Sequence, residues 1–171
     1  GGIWAEMLVA DRCVVEANRA GAGGIAGPTA KSPGGDGGDG GGVHTDAIEM
    51  TNSLLVANRA GRGNAGGTPG VAVHGDGGAV RCLAGVIRHC TIADNMVYWR
   101  DSDASRDGEV LTGLGAGVFC AAGTTVTNSI VYGNTPDQMA GQDCNQVGYS
   151  DIGDGACPAG RGNLDEQPLF I

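Results

Sequence analysis

LVADRCVVEAN (residues 8–18) can be laid over IEMTNSLLVAN (48–58), GVIRHCTIADN (85–95) and TTVTNSIVYGN (124–134), each segment closing on an asparagine. Asn18, Asn58, Asn95 and Asn134 are spaced by 40, 37 and 39 residues, which marks one structural unit used four times with small changes in loop length. Each column of the overlay keeps one chemical character. Ala10, Met50, Ile87 and Val126 are apolar, as are Val15, Leu55, Ile92 and Val131, while Cys13, Ser53, Cys90 and Ser129 stay small. Arg12, Asn52, His89 and Asn128 stand beside the small column and are all polar, as expected if neighbouring side chains point to opposite faces of a strand. A second block, Ile3, Val43, Val80 and Val118 followed two residues later by Ala5, Thr45, Cys82 and Cys120, also reads as a short strand.

Helical solenoids have units of similar length, but these repeats are built of Gly, Thr, Val, Ile and Asn and sustain no three-to-four apolar spacing with good helix formers. The pattern predicts an all-β parallel β-helix of about four to five coils, each coil a strand, a corner, a second strand, a loop and a short third strand. Val71 to Val73, Val110 to Thr112 and Val147 to Tyr149 are the candidates for the third strand. Stacking at about 4.8 Å per coil buries the apolar columns.

Further signatures sharpen this reading. Asn58-Arg-Ala-Gly61 and Gly40-Gly-Gly-Val43, with NSIVYGNTPDQ (128–138), GYSDIGDG (148–155) and GNLDEQPLF (162–170) toward the end, are similar to repeats of right-handed parallel β-helix proteins of the pectin-lyase-like superfamily. The chain resembles in particular the repeats of bacterial polymorphic outer-membrane proteins and related surface proteins. That resemblance implies an architecture and a secreted or cell-surface location, and is silent about chemistry.

Bulk composition bounds the function. A chain of 171 residues with no composition break reads as a single domain over 1–171, a mature or excised segment of a larger protein. The 34 glycines suit a coil that needs several tight corners. A formal net charge of −9 argues against an electrostatic grip on nucleic acid or an anionic membrane surface. No apolar stretch of about 18 residues offers a membrane span.

Six cysteines are compatible with disulfides and export. Cys13 and Cys90 share a column two coils apart, roughly 9.6 Å, so they are expected to be free and buried. Cys144 and Cys157 flank the loop before the last segment and are the first bridge candidate, worth about 3 kcal/mol by loop closure. Cys82 and Cys120 occupy adjacent coils at about 4.8 Å, within disulfide reach, and are the second.

After each asparagine the chain leaves the coil, over 19–40, 59–70, 96–109 and 135–146, and stacked coils must send these excursions out on one side. The third carries Tyr98 and Trp99 followed by Asp101, Asp103 and Arg106, a candidate glycan-binding platform. Its alternative is that the aromatic pair folds back over the coil edge. Asp36 and Asp76, in Gly-rich runs 40 residues apart, are candidates for stacking into a calcium site, with a plain acidic turn as the alternative. Asp46, in VHTDAIE (43–49), faintly resembles the acid of β-helical polygalacturonases, but the partner motifs of that family stand at no matching position. Asp46 and Asp103 are therefore the only catalytic candidates. His44, His74 and His89 fall in different columns, and the asparagine column is assigned to hydrogen bonding at a corner.

These readings predict a noncatalytic exported or surface-displayed β-helix, structural or ligand-binding, with a polysaccharide or cell-surface glycan as partner. The alternative is a carbohydrate-active enzyme, a polysaccharide lyase or glycoside hydrolase. Neither terminus looks like a full cap, so end-to-end association of copies is a further expectation.

Overall fold

A computed structural model describes residues 2–25, 34–64, 72–98, 110–120, 123–141, 146–153, 157 and 161–169. The chain is a parallel β-helix. Its long sheet stacks Ile3–Asp11, Val43–Thr51 and Val80–Arg88, then splits into Val118–Cys120 and Thr124–Thr127, each followed by a two-residue strand, Met139–Ala140 and Val147–Gly148. The short sheet stacks Val14–Glu16, Leu54–Val56, Thr91–Ala93, Ile130–Tyr132 and Asp151–Ile152. A third sheet pairs Ala72–Val73 with Val110–Leu111. Every strand pairing among these is parallel.

Repeat columns become vertical ladders because each rung needs its neighbours to satisfy its backbone and bury its apolar face. Ala10, Met50, Ile87, Val126 and Val147 are successive partners in the long sheet. Val15, Leu55, Ile92, Val131 and Ile152 are partners in the short one. Both ladders contribute to one core. Gly85 interrupts the Leu8–Ile48–Thr124 column for a steric reason: at φ +140° it passes so close to Ile48 that a Cβ would lie 2.0 Å from the Ile48 carbonyl oxygen.

The polar column is something other than the outward face of a strand. Arg12, Asn52, His89, Asn128 and Tyr149 all have φ between 50° and 54°, so they form the left-handed corner that turns each coil from the long sheet into the short one. Ala17, Ala57, Asp94 and Gly133 form a second left-handed column after the short strand. Alanine in this conformation costs roughly 1–2 kcal/mol. The stack holds it there by rung-to-rung bonds such as Ala17 N–H to Val56 O at 3.1 Å and Ala57 N–H to Ala93 O at 3.3 Å.

Side chains run their own ladders along the same corners. Asn58 Oδ1 accepts from the backbone N–H and Nδ2 of Asn18 at 3.0 and 3.1 Å, Asn95 Oδ1 accepts from both groups of Asn58 at 2.9 and 3.0 Å, and Asn134 Oδ1 from both groups of Asn95 at 3.0 and 2.9 Å. In return Asn58, Asn95 and Asn134 donate Nδ2 to the carbonyls of Val15, Leu55 and Ile92. The small column forms a second ladder: Ser53 Oγ receives Cys13 N–H, Ser129 Oγ receives Cys90 N–H, and Ser150 Oγ receives Ser129 N–H.

Toward the C-terminus the coil shortens. The step along the small column is 40 residues from Cys13 to Ser53, still 39 from Cys90 to Ser129, then 21 to Ser150 and 13 to Asn163. This puts Val147–Gly148 in the long sheet beside Val126 and Thr127, and not in the third sheet where the 37-residue repeat from Val110 would place it. Gln138 ends the asparagine ladder, bending back over four residues to offer its Oε1 to Asn134 N–H and Nδ2. At the opposite end Ile3–Asp11 is paired on one edge only among the described strands, which leaves that end of the described stack open. Ile3 is accordingly 38% exposed while Val43, Val80 and Val118 in its column are 0% exposed.

Cys82 and Cys120 are disulfide-bonded with a Cα–Cα distance of 4.7 Å, one rung apart, which needs no displacement of the backbone. Cys157 is buried and disulfide-bonded, and Cys144, its expected partner, lies outside the described residues. Cys13 and Cys90 are free as expected, but only Cys90 is buried, because among the described residues no rung covers Cys13 on the open side. Burial pushes the Cys90 thiol up, against the Ser53 and Arg88 backbone bonds. Among the described residues no helix is long and apolar enough to cross a membrane.

Candidate functional site

The excursions do emerge in register: Arg19, Arg59, Met96 and Thr135 follow the asparagine ladder as a stack of parallel bridges. Tyr98 is half-buried and clamped across three coils. Its hydroxyl lies 2.8 Å from Arg19 Nη2 and 3.4 Å from Arg59 Nη1, the Arg59 guanidinium sits 5.3 Å from the ring centre, and the His74 ring is 5.4 Å away. His74 is buried and takes Gly63 N–H on Nδ1 at 3.0 Å. Tyr98 thus folds back against the coil edge, where cation–π and hydrogen-bond contacts hold it. Trp99, Asp101, Asp103 and Arg106 lie outside the described residues.

Carboxylates fasten the coils. Asp36 accepts Val73 N–H at 2.9 Å, Asp39 accepts Asp76 N–H at 2.9 Å, Asp76 accepts Leu114 N–H at 2.8 Å, and Asp137 accepts Gly115 and Ala116 N–H at 3.2 and 2.9 Å. The expected pairing of Asp36 with Asp76 gives way to Asp39 with Asp76, because this coil advances by 37 residues and not by 40. Asp39 also holds Arg81 Nε at 3.0 Å. Among the described residues no group of three or more His, Cys, Asp or Glu is placed to hold a metal ion. At the exposed corner, hydrogen bonds from Asn52 and Thr51, with Arg12 alongside, hold the Asp11 carboxyl below its ordinary range.

Partial burial pushes the Asp76 carboxyl above the ordinary carboxylate range, with Asp39 and Asp137 adding to the rise and the Leu114 N–H and Arg81 opposing it. A raised pKa in the folded protein means that this group's contribution to stability is complete below the unfolded value of about 4 and is lost as the pH climbs through the folded one. Asp76→Asn keeps an acceptor for Leu114 and removes the charge. Urea titrations at several pH values should therefore show a flatter acid-to-neutral profile and a stability at pH 7 equal to or above that of the parent; a loss at pH 7 would contradict the sign.

The outer face of the long sheet carries the remaining chemistry. Trp4, His44, Arg81 and Phe119 are register partners across four rungs, with Arg81 Nη1 and His44 Nε2 3.3 Å apart. Asp46 is exposed on this sheet, at the one position per rung (Glu6, Asp46, Leu83) that falls outside the pairing register. A cavity of about 390 Å³ lies at the open end beside Trp4, Asp39 and His44. Another, of about 520 Å³, lies at the tapered end beside Thr125, Thr127, Gln146, Tyr149 and Arg161. Neither Trp4 nor Tyr149 stands out in the sequence. Tyr149 belongs to the corner column, but the 21-residue coil hides it from an overlay built on a period near 40.

Comparison of this chain with protein-family models, with curated proteins and with solved structures finds no match.

Proposed function

We propose that this chain is a noncatalytic segment of an exported, surface-displayed bacterial β-helix of the pectin-lyase-like type, a rigid scaffold whose outer side chains bind polysaccharide or cell-surface glycan. One observation carries the reading. Asp36, Asp39, Asp76 and Asp137 all bond to backbone N–H groups of a neighbouring coil, which supports a structural role for these acids in the stack. Export is supported by the Cys82–Cys120 bridge and the bonded Cys157, since disulfides persist in oxidising compartments. Aromatic, hydroxyl and charged groups on the outer face supply the mixture of flat and polar surface that sugars require.

A polysaccharide panel, assayed in parallel for binding and for new chain ends with and without calcium, tests the proposal. Binding without depolymerisation is the expected result. Turnover that disappears in Asp46→Ala or Asp103→Ala would replace it with the alternative, a polysaccharide lyase or glycoside hydrolase.

A further inference from the structure

We infer that the tapered end of the solenoid holds a subsite for an acidic sugar residue, built around Tyr149. The inference rests on the glycan-binding reading above and assigns that function a place and a ligand chemistry. Tyr149 is 75% exposed although its backbone is fixed: it occupies the left-handed corner at φ 52° and its N–H bonds to Arg161 O at 3.0 Å. One side of the ring rests on Gly162, where φ is +73° and a Cβ would come within 2.9 Å of the ring carbons, so glycine there lets the chain pass directly against the tyrosine. The ring forms a ridge between two cavities, about 520 Å³ toward Thr125 and Thr127 and about 330 Å³ toward Asn128 and Asp151. A polymer crossing the ridge has room on both sides of it.

The polar groups of the larger cavity specify the ligand. Gln146 lines this cavity, and its buried Oε1 receives no hydrogen bond among the described residues, so it offers an acceptor to a ligand O–H or N–H that reaches it. Arg161 is exposed beside the cavity, has no ion-pair partner among the described residues, and its donor-only guanidinium favours a charged oxygen acceptor. The Thr125 and Thr127 hydroxyls both donate and accept. A ring with an apolar C–H face for Tyr149, hydroxyls for Gln146 and the threonines, and a negative group for Arg161 meets all of these demands. That describes a carboxylated or sulfated pyranose.

Calorimetric titration of the intact chain with a mannuronate tetrasaccharide, a heparin tetrasaccharide and cellotetraose tests this and separates the two sources of negative charge. At least one acidic probe should bind, more weakly at high salt, and about tenfold or more weakly in Tyr149→Ala and in Arg161→Gln, as expected for loss of a stacking face or a charge-assisted hydrogen bond. Both side chains are exposed, so unchanged thermal unfolding certifies the variants, and Gln146→Leu gives an independent loss of affinity by removing the buried acceptor. Acidic-probe binding that is intact in both Tyr149→Ala and Arg161→Gln overturns the subsite and leaves the glycan reading in place. Cellotetraose binding as tightly as the acidic probes overturns the charge assignment, and absence of binding to every probe overturns the subsite together with the reading on which it rests.

Discussion

Replacement of Asn95 by alanine is expected to lower stability by about 4 kcal/mol, whereas the same change at Asn18 should cost about 1 kcal/mol or less. Asn95 is buried in mid-ladder. Its Oδ1 receives the N–H and Nδ2 of Asn58, and its Nδ2 reaches the carbonyls of Leu55 and Ala93 and Oδ1 of Asn134. Truncation leaves the Asn58 amide and two strand carbonyls without these partners where water does not reach, and each buried unsatisfied group costs about 1–3 kcal/mol. Asn18 is on the open rung and only half-buried, and no donor reaches its Oδ1 among the described residues, so its loss strands little. Since whole domains are stable by only about 5–15 kcal/mol, the Asn95 variant should be visibly compromised in urea unfolding followed by circular dichroism. Equal losses at the two positions would show that the carboxamide ladder is incidental to the stack.

Removal of the Cys82–Cys120 bridge as the Cys82→Ala/Cys120→Ala double variant is expected to cost about 4 kcal/mol, the loop-closure value for its sequence separation of 38 residues. The bridge restrains the unfolded chain across the third excursion and costs the folded one little, because its 4.7 Å Cα separation equals the rung spacing. Both cysteines are fully buried. Reductant alone should therefore leave the folded protein intact over the period in which reductant plus urea unfolds it at a much lower urea concentration than urea alone. A midpoint in urea that reductant does not move would contradict a stabilising role for this disulfide.

Much of the architecture is legible in the sequence. Residues about forty apart experience the same surroundings in a stacked coil, so selection for burial writes one chemical character into each column, as at Val15, Leu55, Ile92 and Val131. The same logic placed Cys82 over Cys120. The candidate site was less legible, because a side chain's partners depend on how far each coil advances. A three-residue difference moved Asp76 from Asp36 to Asp39, and nothing in the letters of Tyr98 announces that arginines of two earlier coils will close over it.

Spacing and column chemistry by themselves determined that this chain is a β-solenoid, which residues line its interior and where asparagine holds its corners. Only the tertiary structure decided that the polar column turns the chain through left-handed backbone, that the coils contract to 21 and 13 residues at one end, and that Tyr149 stands exposed between two cavities there. The reason is physical. Burial repeats with the period and leaves a trace in sequence, whereas corner dihedrals are imposed by hydrogen bonds between rungs, and an irregular coil has no second copy against which to be read.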